Sequence, residues 1–502
     1  MLKRSNRLRR NFFSLMELFN FFNTFSFFHI AISIFAFYIL CSLFYNVLFS
    51  ASEDFAFPSL LNSSLSFTCF ISILTLFYSF DIAPISASYD LYTYNQGFLI
   101  VFLIVSSLVL FVTRDFVSAL GLNKFEYDIL FSFVILSAVC LCFSDDFLLI
   151  YLAIELQSLC FYVFATFNRN SEYSTESGLK YFIFGAVISC FLLLGFSLIY
   201  MTFGSTSFEF LLSIARNTND TFLFTGILFI LIAMLFKVGA APFHLWLCDV
   251  YDGAMISVTM LFASAPKIIM FNIVIKLFTL IFYDFQEFWV PLFLFGSVLS
   301  IIVGSLSAIY QKRLKRLFAY STIAHTGFIL LGVVCVSMEA SKNLTFYLVI
   351  YSGLTVLLFS LLIFSLCSTK RFPTYLASWT ASGLNNFVFV ISFTLVLFSI
   401  AGIPPLAGFF SKFLILSSFV SKEYIATSLL IVIVSSIACF YYIRLIKTFF
   451  FVKSSKNHFW ISSSKRQYSE FVIGVLLFFN IFFVLNPELL SLFSTMVSIA
   501  LF

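Results

Sequence analysis

Residues 398–413 read FSIAGIPPLAGFFSKF and lie inside an apolar run, 386–420, that is too long for one straight membrane helix of about 20 residues. Pro404 and Pro405 carry no N–H, so the carbonyls four residues back, those of Ile400 and Ala401, lose their usual helical donors. Lys412 follows within the same run. The stretch MLFKVGAAPFHLWLCDVYDGA, 234–254, is assembled in the same way. There Gly239 and Pro242 interrupt an apolar segment just after Lys237, and Pro242 strips the donor from the carbonyl of Val238. Open backbone at membrane depth is tolerated only where protein covers it or a wet cavity takes it up. Two such breaks, each with a lysine, predict a polar path inside a helical membrane protein.

The rest of the chain agrees. It has 502 residues, of which 61% are hydrophobic and only 10% charged, with a mean hydropathy of +1.06. A soluble fold of that composition would present a nearly uncharged surface and aggregate. Apolar segments fall at about 28–49, 59–80, 97–113, 127–144, 147–167, 179–203, 221–247, 254–282, 288–310, 317–338, 343–367, 386–420, 424–450 and 470–496. They are near-continuous and do not alternate, which excludes a β-barrel. The expected fold is an all-α integral membrane protein of about 14 transmembrane helices, with the seventh and twelfth broken.

Loop charge orients the segments. Fourteen Lys and Arg residues, among them Arg313, Lys315 and Arg316, fall after odd-numbered segments, against three after even-numbered ones. The even loops carry Asp81, Asp90, Asp145, Asp146, Asp284 and Glu287. The positive-inside rule places the odd loops on the cytoplasmic or matrix side. Five basic residues at the start (Lys3, Arg4, Arg7, Arg9, Arg10) then fall on the wrong side. Residues 11–27 as an interfacial helix, as an extra span or as part of a targeting peptide are the three readings of that conflict.

The matched breaks suggest two inverted five-helix repeats, 126–282 and 283–450, with the broken helix fourth in each. Residues 1–125 form an N-terminal extension with three helices, and 451–502 a loop and a last helix. Glu155, Lys237, Lys267 and Lys412 are deep ionisable residues, and such residues mark ion or proton paths in membranes. All three deep cations are lysines, which can release a proton where arginine cannot. Glu155 with Lys237 is the natural pair, and a static pair locking two helices is the plain alternative. Lys180 and His325 are secondary candidates. Lys276 reads as a snorkelling residue, Lys180 equally as a surface partner of Glu176, and His244, Asp249 and Asp252 as loop residues. The ten cysteines and four histidines offer no ligand spacing, so no metal, haem, flavin, nucleotide or iron–sulfur site is expected on this chain, nor any nucleic-acid partner.

Four stretches carry a resemblance: ELQSLCFYVFATFNRNSEYSTESGLKYFIFGA (155–186), 234–254, SAIYQKRLKRLFAYSTIAHTGF (307–328) and 398–413. They closely resemble subunit 2 of proton-pumping NADH:ubiquinone oxidoreductase, respiratory complex I, within the family of antiporter-like subunits. The resemblance runs from about 145 to 450. It implies a proton relay of Glu155, Lys237, Lys267 and Lys412, with Lys180 and His325 as further members of a hydrophilic axis. It also implies that NADH, flavin, iron–sulfur clusters and ubiquinone belong to partner subunits. The implied neighbours are other membrane subunits of the complex, antiporter-like ones included, and lipid. The implied setting is the mitochondrial inner membrane, with a bacterial plasma membrane as the alternative. Cys248 and Met255 stand where the family pattern has proline. A stand-alone cation/proton antiporter subunit and a purely structural subunit remain the rival readings. The orientation is directly testable: a cysteine placed at Gln311 is expected to react with an impermeant thiol reagent only from the cytoplasmic or matrix side.

Overall fold

The computed structural model describes residues 33, 35–44, 87–119, 125–214, 220–369, 387–451 and 467–501. The basic start, residues 11–27 and the second apolar segment at 59–80 lie outside the described residues. What is described is almost wholly helical, with one isolated bridge between Asp146 and Ser207. Ten of the described helices are long and apolar enough to cross a membrane, and the chain is a multi-pass membrane protein.

In chain order the helices are α1 (Ala87–Ala119), α2 (Phe125–Cys142), α3 (Phe147–Ala165), α4 (Glu172–Phe203), α5 (Phe208–Ile214), α6 (Thr221–Val238) and α7 (Leu245–Gly253). Next come α8 (Ile256–Ala263), α9 (Ala265–Ile275) running into a π-helical turn (Lys276–Ile281), α10 (Gln286–Tyr310), α11 (Leu314–Val334) and α12 (Met338–Thr369). The last are α13 (Phe387–Ala401), α14 (Ala407–Val420), α15 (Ile425–Phe451), α16 (Gln467–Phe482) and α17 (Glu488–Ile499).

Both expected breaks are present, and they have the same local build. Gly239 ends α6 at φ 78°, and its N–H donates to the carbonyls of Leu235 and Phe236 at 3.1 and 2.9 Å. Ala240 N–H also reaches Leu235 O, at 2.9 Å. Gly402 ends α13 at φ 87°, donating to Phe398 and Ser399 at 3.1 and 3.0 Å, while Ile403 N–H reaches Phe398 O at 3.1 Å. This left-handed cap is one that glycine adopts without steric cost. The peptide bonds before Pro242 and Pro405 are both cis.

Two further breaks divide membrane segments, the first at the Pro266 that precedes Lys267. The eighth segment stops at Ser264 and restarts with Pro266 in the first turn of α9, because Pro266 cannot donate to the carbonyl of Phe262. The last segment is likewise divided, α17 beginning after Pro487. Asp249 and Asp252, read from sequence as loop residues, lie on α7. A nine-residue helix between two breaks is too short for its periodicity to show.

Every residue of α8 and α9 is buried, and α11 is buried along nearly its whole length. These helices form the interior of the bundle. Helices α3, α4, α15 and α16 turn large apolar side chains outward, as lipid-facing or subunit-facing surfaces do. At Gly408 on α14, a Cβ atom would stand 1.8 Å from the backbone oxygen of Ser399 on α13. Backbone cannot swing aside, so Gly408→Ala is expected to cost about 3 kcal/mol. Gly474→Ala meets nothing within 4 Å and is expected to be silent. Thermal unfolding of the extracted protein separates the two.

Candidate functional site

The two carbonyls that the sequence leaves open at the second break have one partner. Lys412 Nζ donates to Ile400 O at 2.9 Å and to Ala401 O at 2.8 Å. The lysine on α14 thus caps the end of α13 across the Gly402–Leu406 turn, and Cys439 Sγ approaches the same Ala401 oxygen at 3.7 Å. At the first break the indole of Trp246 donates to Phe236 O at 3.0 Å, tying α7 back to α6.

Lys237, one residue from the end of α6, lines a cavity of about 40 Å³ with Gln157, Ser158, Tyr251 and Lys267. A cavity of that size has room for a water molecule. Lys237 and Glu155 make no direct ion pair, which corrects the expected contact. Helix α4 packs against both α3 and α6, while Gln157 and Ser158 of α3 reach the cavity that Lys237 lines. Glu155 Oε2 instead accepts from Ser158 Oγ at 3.3 Å, while Oε1 is buried without a partner. The helix-locking reading therefore lacks the contact it needs.

Lys267 is 5% exposed on α9 and donates to the Tyr351 hydroxyl at 3.0 Å. Tyr351 lies one turn from Tyr347 on α12, the rings nearly parallel with centroids 6.5 Å apart. Tyr347 Oη in turn lies 2.6 Å from His325 Nδ1. A second cavity of about 30 Å³ is lined by His325, Tyr347, Tyr351, Ser411 and Lys412. Lys237, Lys267, His325 and Lys412 are thus brought into one line. The two tyrosines, which the sequence reading missed, occupy its middle.

Residues 144–463 match the family described as NADH:quinone oxidoreductase/Mrp antiporter, TM. NADH-ubiquinone oxidoreductase chain 2 of Marchantia polymorpha is 37% identical over 475 residues, which span 91% of this chain and 95% of that one. The chain belongs to the NADH:quinone oxidoreductase/Mrp antiporter family. Subunit N of the NADH-quinone oxidoreductase of Pelagibacter ubique is 37% identical over 342 residues, 68% of this chain and 72% of that one. A solved chain of respiratory complex I from Thermus thermophilus with bound aureothin shares the fold at a TM-score of 0.73. It is 22% identical, and the match covers 92% of this chain and 98% of that one.

Of two other lysines of this family member, Lys276 differs from its sequence reading and Lys180 takes the surface pairing that was one of its two readings. Lys276 does not snorkel into solvent: it is 3% exposed and donates to Ser144 O and to Asp145 Oδ1, the latter at 2.9 Å. It opens the π-helical turn and ties the end of α9 to the loop before α3. Lys180 stands outside the line described above. It pairs with Glu176 at 2.7 Å and with Asp249 at 3.4 Å, as a half-exposed surface residue does.

Asp249 also pairs with Arg316 at 3.2 Å, and Asp252 with Arg316 at 2.9 Å and with Arg313. Lys315 donates to Ala254 O at 2.6 Å. This network fastens α7 to the start of α11 on the basic face, beside the cavity that Lys237 lines. Asp252→Asn breaks pairs whose acid is only 14% exposed, and is expected to cost about 2 kcal/mol, short of the loss at a fully buried pair. Glu176→Gln removes an exposed partner and is expected to leave the melting temperature unchanged. Melting of the detergent-extracted complex checks both.

Proposed function

We propose that this chain is the proton-translocating membrane subunit of an NADH:quinone oxidoreductase, working in the mitochondrial inner membrane. Its named relatives are oxidoreductase subunits from both mitochondria and bacteria. One observation carries the reading: a line of lysines, tyrosines and a histidine crosses the buried interior, with a water-sized cavity at either side of the Lys267–Tyr351 hydrogen bond. Packing alone does not call for such groups at that depth, and the cost of placing them there is large.

In this reading Glu155 biases the charge on Lys237 from α3, whose Gln157 and Ser158 line the same cavity. Lys237 exchanges a proton with Lys267 through water, and Lys412 is the terminal member. Proton transfer of this kind needs groups that give up and regain a proton in place, as lysine and histidine do. NADH oxidation, flavin, iron–sulfur chemistry and quinone reduction belong to partner subunits, and the neighbours in the membrane include other antiporter-like subunits. The alike breaks after Leu235 and Phe398 support a division into two halves, 126–282 and 283–450. The family description also names Mrp antiporters, so a stand-alone cation/proton antiporter subunit is the second reading.

Gently solubilised membranes separated on a native gel, stained for NADH oxidation and probed for this chain by mass spectrometry, distinguish the two. The chain is expected in the large NADH-oxidising band; recovery only in a small inactive band supports the antiporter. Within the assembled complex, Lys237→Met is expected to lower proton translocation by roughly 10²-fold while NADH oxidation by an artificial acceptor is unchanged. A subunit that only locks helices would lose assembly instead.

A further inference from the structure

We propose that Tyr351 and Tyr347 are the residues through which a proton passes between the two cavities, by exchange at their neutral hydroxyls. The inference rests on the relay reading above and names the groups that complete it.

The two cavities have different linings. Lys267 belongs to the first cavity, and neither His325 nor Lys412 lines it. His325 and Lys412 belong to the second, and Lys267 does not line that one. The Lys267 Nζ–Tyr351 Oη hydrogen bond, at 3.0 Å, joins them. Both helices are buried there, α9 completely, so bulk water does not offer a way around.

The chemistry suits a hydroxyl. Lys267 donates to the Tyr351 oxygen, which leaves the phenol proton of Tyr351 free to be given onward. Tyr347 is the next hydroxyl on the same face of α12, and the cavity of about 30 Å³ that both tyrosines and Lys412 line has room for a water molecule. Tyr347 Oη lies 2.6 Å from His325 Nδ1, a receiver when that nitrogen is unprotonated. In one passage, Nζ of Lys267 loses a proton to Tyr351 Oη as Tyr351 yields its own to a cavity water. That water yields one to Tyr347 Oη, and Tyr347 yields its own to His325 Nδ1. One proton leaves Lys267, one arrives at His325, and each tyrosine ends neutral. No phenolate forms, so no buried anion has to be stabilised. Phenylalanine keeps the ring and the stacking but can do none of this.

The test uses the assembled complex in sealed vesicles, comparing Tyr351→Phe, Tyr347→Phe, Tyr351→His and Lys237→Met. NADH oxidation by an artificial acceptor and proton translocation driven by quinone reduction are measured on each. Both Phe variants are expected to keep the first and to lose on the order of tenfold or more in the second. Tyr351→His, whose imidazole also accepts and donates, is expected to recover part of the loss. Tyr347→Phe does not touch Lys267, so its defect separates proton passage from the mere holding of that lysine. Translocation at the parent rate in both Phe variants, with Lys237→Met inactive, overturns the tyrosine path and leaves the relay standing. Parent-like translocation in Lys237→Met overturns the relay itself.

Discussion

A carbonyl that has lost its helical donor cannot be left facing lipid. That constraint governs this bundle. Proline and glycine break two membrane segments, and each break exposes backbone oxygens at a depth where water is scarce. At the second break the ammonium of Lys412 takes up both freed oxygens. A lysine that would be costly alone in an apolar interior is useful there, because it removes two other costs. At the first break the indole of Trp246 and the Gly239 N–H both reach the Phe236 oxygen, and Lys237 faces the cavity instead of the backbone.

The remaining architecture follows from enclosing these groups. Helices α8 and α9 lie at the centre with no residue exposed, and the Ser264 break sits three residues before Lys267. On the basic face, Asp249 and Asp252 hold α7 against the start of α11, closing the bundle beside Lys237. On the opposite face Lys276 draws the Ser144–Asp145 loop onto the end of α9. Between these two fastenings lies the line from Lys237 to Lys412.

Much of this was legible in the sequence because proline chemistry is local. Counting four residues back from Pro404 and Pro405 names Ile400 and Ala401, the oxygens Lys412 is found to bind. The deep lysines stand out against an apolar background for the same reason. What depends on tertiary packing could not be read. That Glu155 makes no ion pair with Lys237 is set by how the helices pack, not by either residue's neighbours in the chain. Tyr347 and Tyr351 look like ordinary packing in a chain with 23 tyrosines, and only their partners single them out. Lys276 near a segment end reads as a snorkelling residue until Asp145 and Ser144 are seen to reach it from another loop.

The way Lys412 is held has an electrical consequence. Carbonyl dipoles orient an ammonium but, unlike a carboxylate, do not cancel its charge. No acidic side chain pairs with Lys412 or with Lys267 among the described residues, and His325 lines the same cavity as Lys412. Positive charges inside a low-dielectric bundle repel over several ångströms with little screening. In the proposed relay a filled position would therefore discourage filling of the next, and charge would move by displacement, each arrival pushing the one ahead.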